Sequence, residues 1–192
     1  MECAQRHLDQ GAGGGLKYTI EHSKRPTDIH QHLLTLHGLV TSIKAKVVIE
    51  LGVNTGESTV ALLEAVSVTG GKLYSVDIIP RPATEAMLKS YGLTGPWEFT
   101  IANDLKYIKT WPKDRLADLI FIDTSHEYEQ TRKEIEAYEP ILRPGGILVF
   151  HDTVSFYDGV QKPINEFLKT HKHWPYENRT HCNGLGILRK PA

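Results

Sequence analysis

Apolar positions along the chain recur at two spacings, and the two alternate. Ile29, Leu33, Leu36, Leu39, Val40 and Ile43 fall on one face of a helix. The next run, Val47-Val48-Ile49, is β-branched and continuously apolar, as in a strand buried on both faces. It passes through Glu50-Leu51-Gly52-Val53-Asn54-Thr55-Gly56 into Glu57-Ser58-Thr59 and the amphipathic Val60-Ala61-Leu62-Leu63, an order that reads as strand, tight turn and helix start. Gly70-Gly71 ends that helix. Lys72 to Val76 predicts a second strand closed by Asp77, and residues 83–91 a helix stopped by Gly92. A third strand is expected over 97–102, with Asn103-Asp104 opening a short helix that runs to Trp111. Ala117 to Ile122 reads as a fourth buried strand ending at Asp123, and residues 127–142 as a helix. Pro144-Gly145-Gly146 is expected to turn into a fifth strand, Ile147 to Phe150, followed by His151-Asp152-Thr153. A helix over 160–171 with Pro163 in its first turn, and a hairpin around Asn183-Gly184, complete the pattern.

Five strands separated by helices imply an α/β fold, a doubly wound and mostly parallel sheet, here with a C-terminal antiparallel hairpin. Ligands of such sheets sit beyond the carboxyl ends of the strands. Glu50, Asp77, Asp104, Asp123 and His151-Asp152 each follow an apolar run and so fall at that edge. Any one acid there could be a helix cap or turn former. Five in the same position point to a site. The length suits one domain. The tract Gly11-Ala12-Gly13-Gly14-Gly15 suggests a flexible arm over residues 1–18 and a folded unit over 19–192.

Composition narrows the partners. A net charge of −1 gives no electrostatic case for nucleic acid or a membrane surface. No apolar run approaches the roughly 20 residues of a membrane span, and the start lacks a signal-peptide core. Cys3 and Cys182 are too few for a disulfide framework and fit a reducing compartment. A cytoplasmic protein acting on a small molecule is the expectation.

The glycine turn carries the first chemical signal. Glycine lets backbone approach a ligand closely, and the following helix offers free N–H groups. Glu50 beside the turn would repel a pyrophosphate, and the G-x-G-x-x-G spacing is missing, which disfavours a nucleotide-dependent oxidoreductase. A cationic, hydroxyl-bearing ligand suits a carboxylate better.

With Phe121-Ile122-Asp123-Thr124-Ser125-His126-Glu127-Tyr128, Leu142-Arg143-Pro144-Gly145-Gly146 through His151-Asp152-Thr153, and Asn183-Gly184-Leu185-Gly186, this turn resembles the class I S-adenosylmethionine-dependent methyltransferases. The likeness runs from about Ile29 to Lys190. Within the class the chain resembles small O-methyltransferases, macrolide and aminocoumarin sugar O-methyltransferases and cephalosporin hydroxylase-like proteins. The resemblance implies a Rossmann-like fold, S-adenosyl-L-methionine as cofactor and a small hydroxylated acceptor such as a sugar or natural product. A cofactor-binding protein of the same fold without transferase activity is the alternative. Carried over residue by residue, Glu50 lies near the methionine amino end and Gly52 and Gly56 are the turn glycines. Asn54 stands where a middle glycine is common, and asparagine tolerates a positive φ best among other residues. Ser58 binds the methionine carboxylate or caps the helix. Asp77 accepts from both ribose hydroxyls. Asp104, with Asn103 one residue off, lies beside the adenine amino group, and Asp123 follows the fourth strand at the cofactor edge.

Methyl transfer to a hydroxyl also needs a proton removed, by a base or by a metal that acidifies the hydroxyl. Related enzymes hold magnesium with an acid after the fourth strand and an acidic pair after the fifth, which here are Asp123 and His151-Asp152. A histidine in that set suits manganese or zinc better than magnesium. Without a metal, His151 or His126 is the candidate base, with Asp123 beside them. His30, His32 and His37 show no metal spacing. With no inserted cap domain, the acceptor site is expected to come from the N-terminal arm, residues 79–83 and 154–159, or a second subunit of a homodimer.

Overall fold

The computed structural model describes residues 15–192, and the sheet forms where the apolar runs predict it. Val47–Leu51 (β1), Lys72–Asp77 (β2), Trp97–Ile101 (β3), Ala117–Ile122 (β4) and Leu142–His151 (β5) are parallel neighbours in the order β3-β2-β1-β4-β5. Tyr176–Arg179 (β6) and Leu185–Arg189 (β7) extend the sheet antiparallel, β7 against β5 and β6 outermost. The order reverses between β1 and β4, so both strands deliver their ends to one crevice.

Alternation along β1 assigns its side chains to two cores. Val48 packs with the helices Leu33–Ser42 (α2), Glu57–Thr69 (α3) and Pro82–Ser90 (α4) on one face. Ile49 and Leu51 pack on the other face with Tyr138 of Tyr128–Tyr138 (α6) and Ile164 of Lys162–Thr170 (α7). Glu50 therefore points toward α3, which sets up its role below. The short helix Asp104–Tyr107 (α5) follows β3 on the second face.

The structure differs from the sequence expectations at three places. Lys17 and Tyr18, expected in the arm, belong to a helix, Lys17–His22 (α1), while residues 1–14 lie outside the described part. Glu64 of α3 accepts from the backbone N–H groups of Tyr18 (2.9 Å) and Thr19 (2.6 Å), satisfying the first turn of α1. His22, fully buried, contacts Glu57 through Nδ1 (2.8 Å) and the Tyr91 hydroxyl through Nε2 (3.1 Å), while Tyr18 stacks on Tyr91 at 3.9 Å. Second, Pro144-Gly145-Gly146 is part of β5 and not a turn before it. The Gly145 N–H donates to the Lys190 carbonyl at 3.0 Å, and the register with β4 shifts between Ala117 and Leu119 to admit the segment. Third, α6 stops at Tyr138 and continues as one 3-10 turn, because Pro140 cannot supply the N–H that an α-helix needs. Among the described residues no helix is long and apolar enough to cross a membrane.

Candidate functional site

The turn after β1 is held by glycine geometry at two points. Gly52 has φ +90° and lies so close to the end of β4 that a Cβ there would come within 1.9 Å of the Asp123 carbonyl oxygen. Gly56 has φ +86°, and its Cβ would meet Thr84 Cγ2 at 2.4 Å. Asn54 between them adopts φ +45° and is exposed, as its residue type allows. One carboxylate ties the turn together. Asp77 Oδ2 accepts from the N–H groups of Val53 (3.0 Å) and Asn54 (3.2 Å), and Oδ1 accepts from the Ile79 N–H (3.1 Å). The Arg81 guanidinium donates to both oxygens, Nε to Oδ2 at 2.9 Å and Nη2 to Oδ1 at 3.2 Å. Against the effect of burial, Arg81 and these amides hold the Asp77 carboxyl below its ordinary range. Arg81 had no signal in the sequence beyond its i,i+4 spacing from Asp77.

Glu50 is fully buried behind the turn. It accepts hydrogen bonds from the hydroxyls of Ser58 (2.7 Å), Thr59 (3.0 Å) and Ser75 (2.6 Å). Burial pushes its carboxyl up to about 7, with the three hydroxyls opposing. The Ser58 hydroxyl turns inward to Glu50, and α3, with Gly56 as its N-cap, has no side-chain cap among the described residues, so of the groups expected at Ser58 only its backbone N–H faces the turn. What remains open to a ligand here is the backbone at the start of α3.

At the ends of β4 and β5 the structure brings together Asp123, His126 and Asp152. One ligand-type atom from each lies within 4.8 Å of the others. His126 Nε2 sits 3.2 Å from Asp123 Oδ1 and 2.8 Å from Asp152 Oδ2. Both His126 (φ +57°) and Asp152 (φ +63°) are left-handed, a backbone state that costs energy for these residue types and aims the two side chains at each other. The imidazole gains from two carboxylates, Asp123 and then Asp152, which push it up to about 9 despite its burial. Asp123 and Asp152 are held below the carboxylate range by His126 and His151, against the desolvation that opposes their charge.

His151, expected as a metal ligand or base, lies behind this cluster instead. Its side chain is fully buried, with Nδ1 3.5 Å from Asp123 and 3.2 Å from Asp152, while Nε2 contacts the Cys182 carbonyl at 3.3 Å. Burial works against its charge, but the two carboxylates push it up to about 10. The reason is register: the side chain of the last β5 residue faces the sheet interior, and only the left-handed Asp152 brings the chain back to the crevice. His32, read from sequence as unremarkable, is also fully buried. Its Nε2 contacts the His181 carbonyl at 2.9 Å and its ring lies 5.9 Å from that of His151. Desolvation brings it down to about 4. The two histidines thus grip consecutive carbonyls of the loop between β6 and β7.

Asp104 and Asn103 lie at the end of β3. Asn103 is exposed and caps α5, its Oδ1 accepting from the Lys106 N–H at 3.2 Å. Asp104 is buried and turned toward α6, where Gln130 Nε2 donates to both of its oxygens at 3.0 Å. Glu134, fully buried one turn further along α6, shares the same amide. Around the crevice Ile78, Ile79, Ile101, Val154, Phe156 and Tyr157 are exposed, an apolar rim that a folded core does not require. Phe156 stacks on His126 with ring centroids 4.4 Å apart.

A family model described as a methyltransferase domain matches residues 49–153, which contain the glycine turn, Asp77, Asp104, Asp123, His126 and Asp152. No curated protein matches the chain at the sequence level. Solved structures resemble it throughout. A Staphylococcus aureus protein provisionally titled a caffeoyl-CoA O-methyltransferase is 19% identical over 97% of this chain and 96% of its own, with a TM-score of 0.72. The O-methyltransferase of Streptomyces achromogenes involved in tomaymycin synthesis, solved with S-adenosylmethionine, is 15% identical over 98% and 95%, with a TM-score of 0.71. An O-methyltransferase from Bacillus cereus, solved with S-adenosylhomocysteine, is 15% identical over 95% and 94%, with a TM-score of 0.68. At such identities these likenesses establish the fold. The family match covers more than half of the residues, and on that ground the chain belongs to the methyltransferase-domain family.

Proposed function

We propose that the chain transfers the methyl group of S-adenosyl-L-methionine to a hydroxyl of a small acceptor, with a sugar or natural product as the expected class. The observation that carries this reading is the convergence of Asp123, His126 and Asp152 beside the glycine turn. The open backbone of the turn and the start of α3 suit the methionine end. Asp77, once Arg81 gives way, suits the ribose hydroxyls. The apolar rim of Val154, Phe156 and Tyr157 stands next to His126, where an acceptor must lie.

In the transfer the acceptor oxygen forms a bond to the methyl carbon as the carbon–sulfur bond breaks. The sulfonium becomes a neutral thioether, and the hydroxyl proton leaves. Aligning oxygen, carbon and sulfur is the main task of the protein. Neither histidine of the resting cluster suits the proton: His126 and His151 are both charged near neutral pH. Asp123 and Asp152 hold their negative charge, but the same imidazoles that lower them make them weak bases, so acidifying the hydroxyl is the better route to releasing its proton.

The same residues fit a divalent cation. Asp152 Oδ1 is buried with no hydrogen-bond partner among the described residues, and two carboxylates and an imidazole converge around one point. Asp123, His126 and Asp152 would hold the ion, and the imidazole favours manganese or zinc. When bound, it would supply the acidity that the acceptor hydroxyl needs. The test is methyl transfer to a panel of hydroxylated acceptors before and after chelation. Loss on chelation, restored by manganese or zinc, is the expected result. Activity that survives chelation but falls in Asp152→Ala would remove the metal and leave the carboxylate as proton acceptor. Full activity in both Asp152→Ala and His126→Ala would overturn the site altogether.

A further inference from the structure

The cluster on α6 behind Asp104 is not used by the transfer reaction. Glu134 has no exposed surface, no cation within ion-pair distance among the described residues, and a neighbouring carboxylate in Asp104. Its Oε1 accepts from the Thr124 hydroxyl (2.7 Å) and from Gln130 Nε2 (2.9 Å), while Oε2 has no partner. Gln130 also donates to both oxygens of Asp104 at 3.0 Å. The two carboxyl groups thus present four oxygens, but the amide and the hydroxyl offer three hydrogens between them. A proton on Glu134 removes the charge that burial penalises.

We propose that Glu134 is a positioning residue that stays protonated, and that through Gln130 it orients the Asp104 carboxyl as a hydrogen-bond acceptor for the 6-amino group of the cofactor's adenine. The inference rests on the reading of Asp104 as the adenine-facing acid. Burial beside Asp104 pushes the Glu134 carboxyl up to about 8, consistent with a neutral acid at physiological pH. Tyr138, one turn further along α6, stays neutral as well, because burial raises its phenol. Asp104 then distinguishes adenine from hypoxanthine: the amino group donates to it, whereas a 6-oxo group would set lone pairs against a carboxylate.

The test uses the full chain and two ligands, S-adenosylhomocysteine and its inosine analogue, with binding measured by calorimetry near pH 6.5. The parent should prefer the adenosine ligand by at least about tenfold, the value of one hydrogen bond to a charged group. Glu134→Gln mimics the protonated acid and should keep that preference within about threefold, whereas Glu134→Ala should lose most of it. The infrared difference between the parent and Glu134→Gln should contain the C=O stretch of a protonated carboxylic acid, and this arm stands even if the alanine variant fails to fold. No such band, or a Glu134→Gln variant that loses the preference as the alanine variant does, overturns the proposal. An alanine variant that keeps the preference reduces Glu134 to a structural group. Asp104→Asn separates the underlying reading. If it still discriminates, Asp104 does not face adenine, although the infrared result on Glu134 is unaffected.

Discussion

Replacing Asp77 by alanine removes one carboxylate that currently serves five donors: three backbone amides and two guanidinium nitrogens. On the proposed function, the two ribose hydroxyls would take the place of Arg81 in the cofactor complex. Each is a hydrogen bond to a charged group, about 1.5–3 kcal/mol, so the gross loss is roughly 3–6 kcal/mol. Against that stands the Arg81–Asp77 pair that binding must break. Arg81 is 24% exposed in the pair, and such partly solvated pairs contribute about 1 kcal/mol or less. The net cost is then about 2–5 kcal/mol, on the order of thirtyfold to several-thousandfold in Kd. Asp77→Asn keeps one acceptor and should fall between. Titration calorimetry with S-adenosylhomocysteine reads the effect, with circular dichroism and thermal unfolding as controls that the turn and sheet survive. An alanine variant that folds normally and binds like the parent would refute the argument and leave Asp77 as nothing more than a brace for the turn.

Three further outcomes follow from the same geometry. Arg81→Ala frees the acceptor atoms of Asp77 and should tighten S-adenosylhomocysteine binding by about two- to fivefold, the equivalent of a partly exposed ion pair; weaker binding would show that Arg81 contacts the ligand. Glu50→Gln should flatten the dependence of stability on pH. Folding raises the Glu50 carboxyl to about 7 from an ordinary 4.5, so the folded chain holds a proton that the unfolded chain has released, and stability falls as pH rises from about 4.5 to 7. Urea unfolding of parent and variant at pH 5 and 7 checks this, and equal slopes for the two proteins would contradict it. The metal-free cluster behaves in the same direction at higher pH. Because His126 is raised to about 9, its contribution is fully present below pH 6.5 and is lost as pH rises through 9, a loss that His126→Gln should reduce in unfolding experiments, with His151, raised to about 10, supplying what is left.

The sheet was legible because its central strands β1, β4 and β5 carry near-continuous apolar runs, Val47-Val48-Ile49, Leu119 to Ile122 and Ile147 to Phe150, as a parallel strand buried on both faces does, and because an acid lies at or near the end of every parallel strand. Asp77, Asp123 and Asp152 were legible for the same reason: strand ends at one edge share a crevice whatever the loops do. The division between His126 and His151 was not, since it depends on left-handed backbone at His126 and Asp152, and no periodicity encodes the sign of φ. Ser58 and Glu50 looked ligand-facing because proximity to a glycine turn does not reveal that alternation in β1 aims Glu50 inward. Glu134 shares the buried face of α6 with Thr131, Ile135 and Tyr138 at helical spacing, where a lone acid is out of place and marks itself in the sequence. α1 acts through side-chain contacts as distant in sequence as Tyr18 and Tyr91, which a local reading does not reach, and the Arg81–Asp77 pair depends on the turn that follows β2.

The contacts of α1 decide how far the chain can be trimmed for expression. Deleting residues through His22 would strip Glu64 of three donors deep in the protein and remove the only imidazole that touches Glu57 among the described residues. It would also bare the ring of Tyr91, which α1 otherwise covers with Tyr18. Both ends of the crevice scaffold loosen together, since Glu57 opens α3 and Tyr91 closes α4. A shortened gene for crystallisation or display should therefore begin ahead of Lys17, although the family match itself starts only at residue 49.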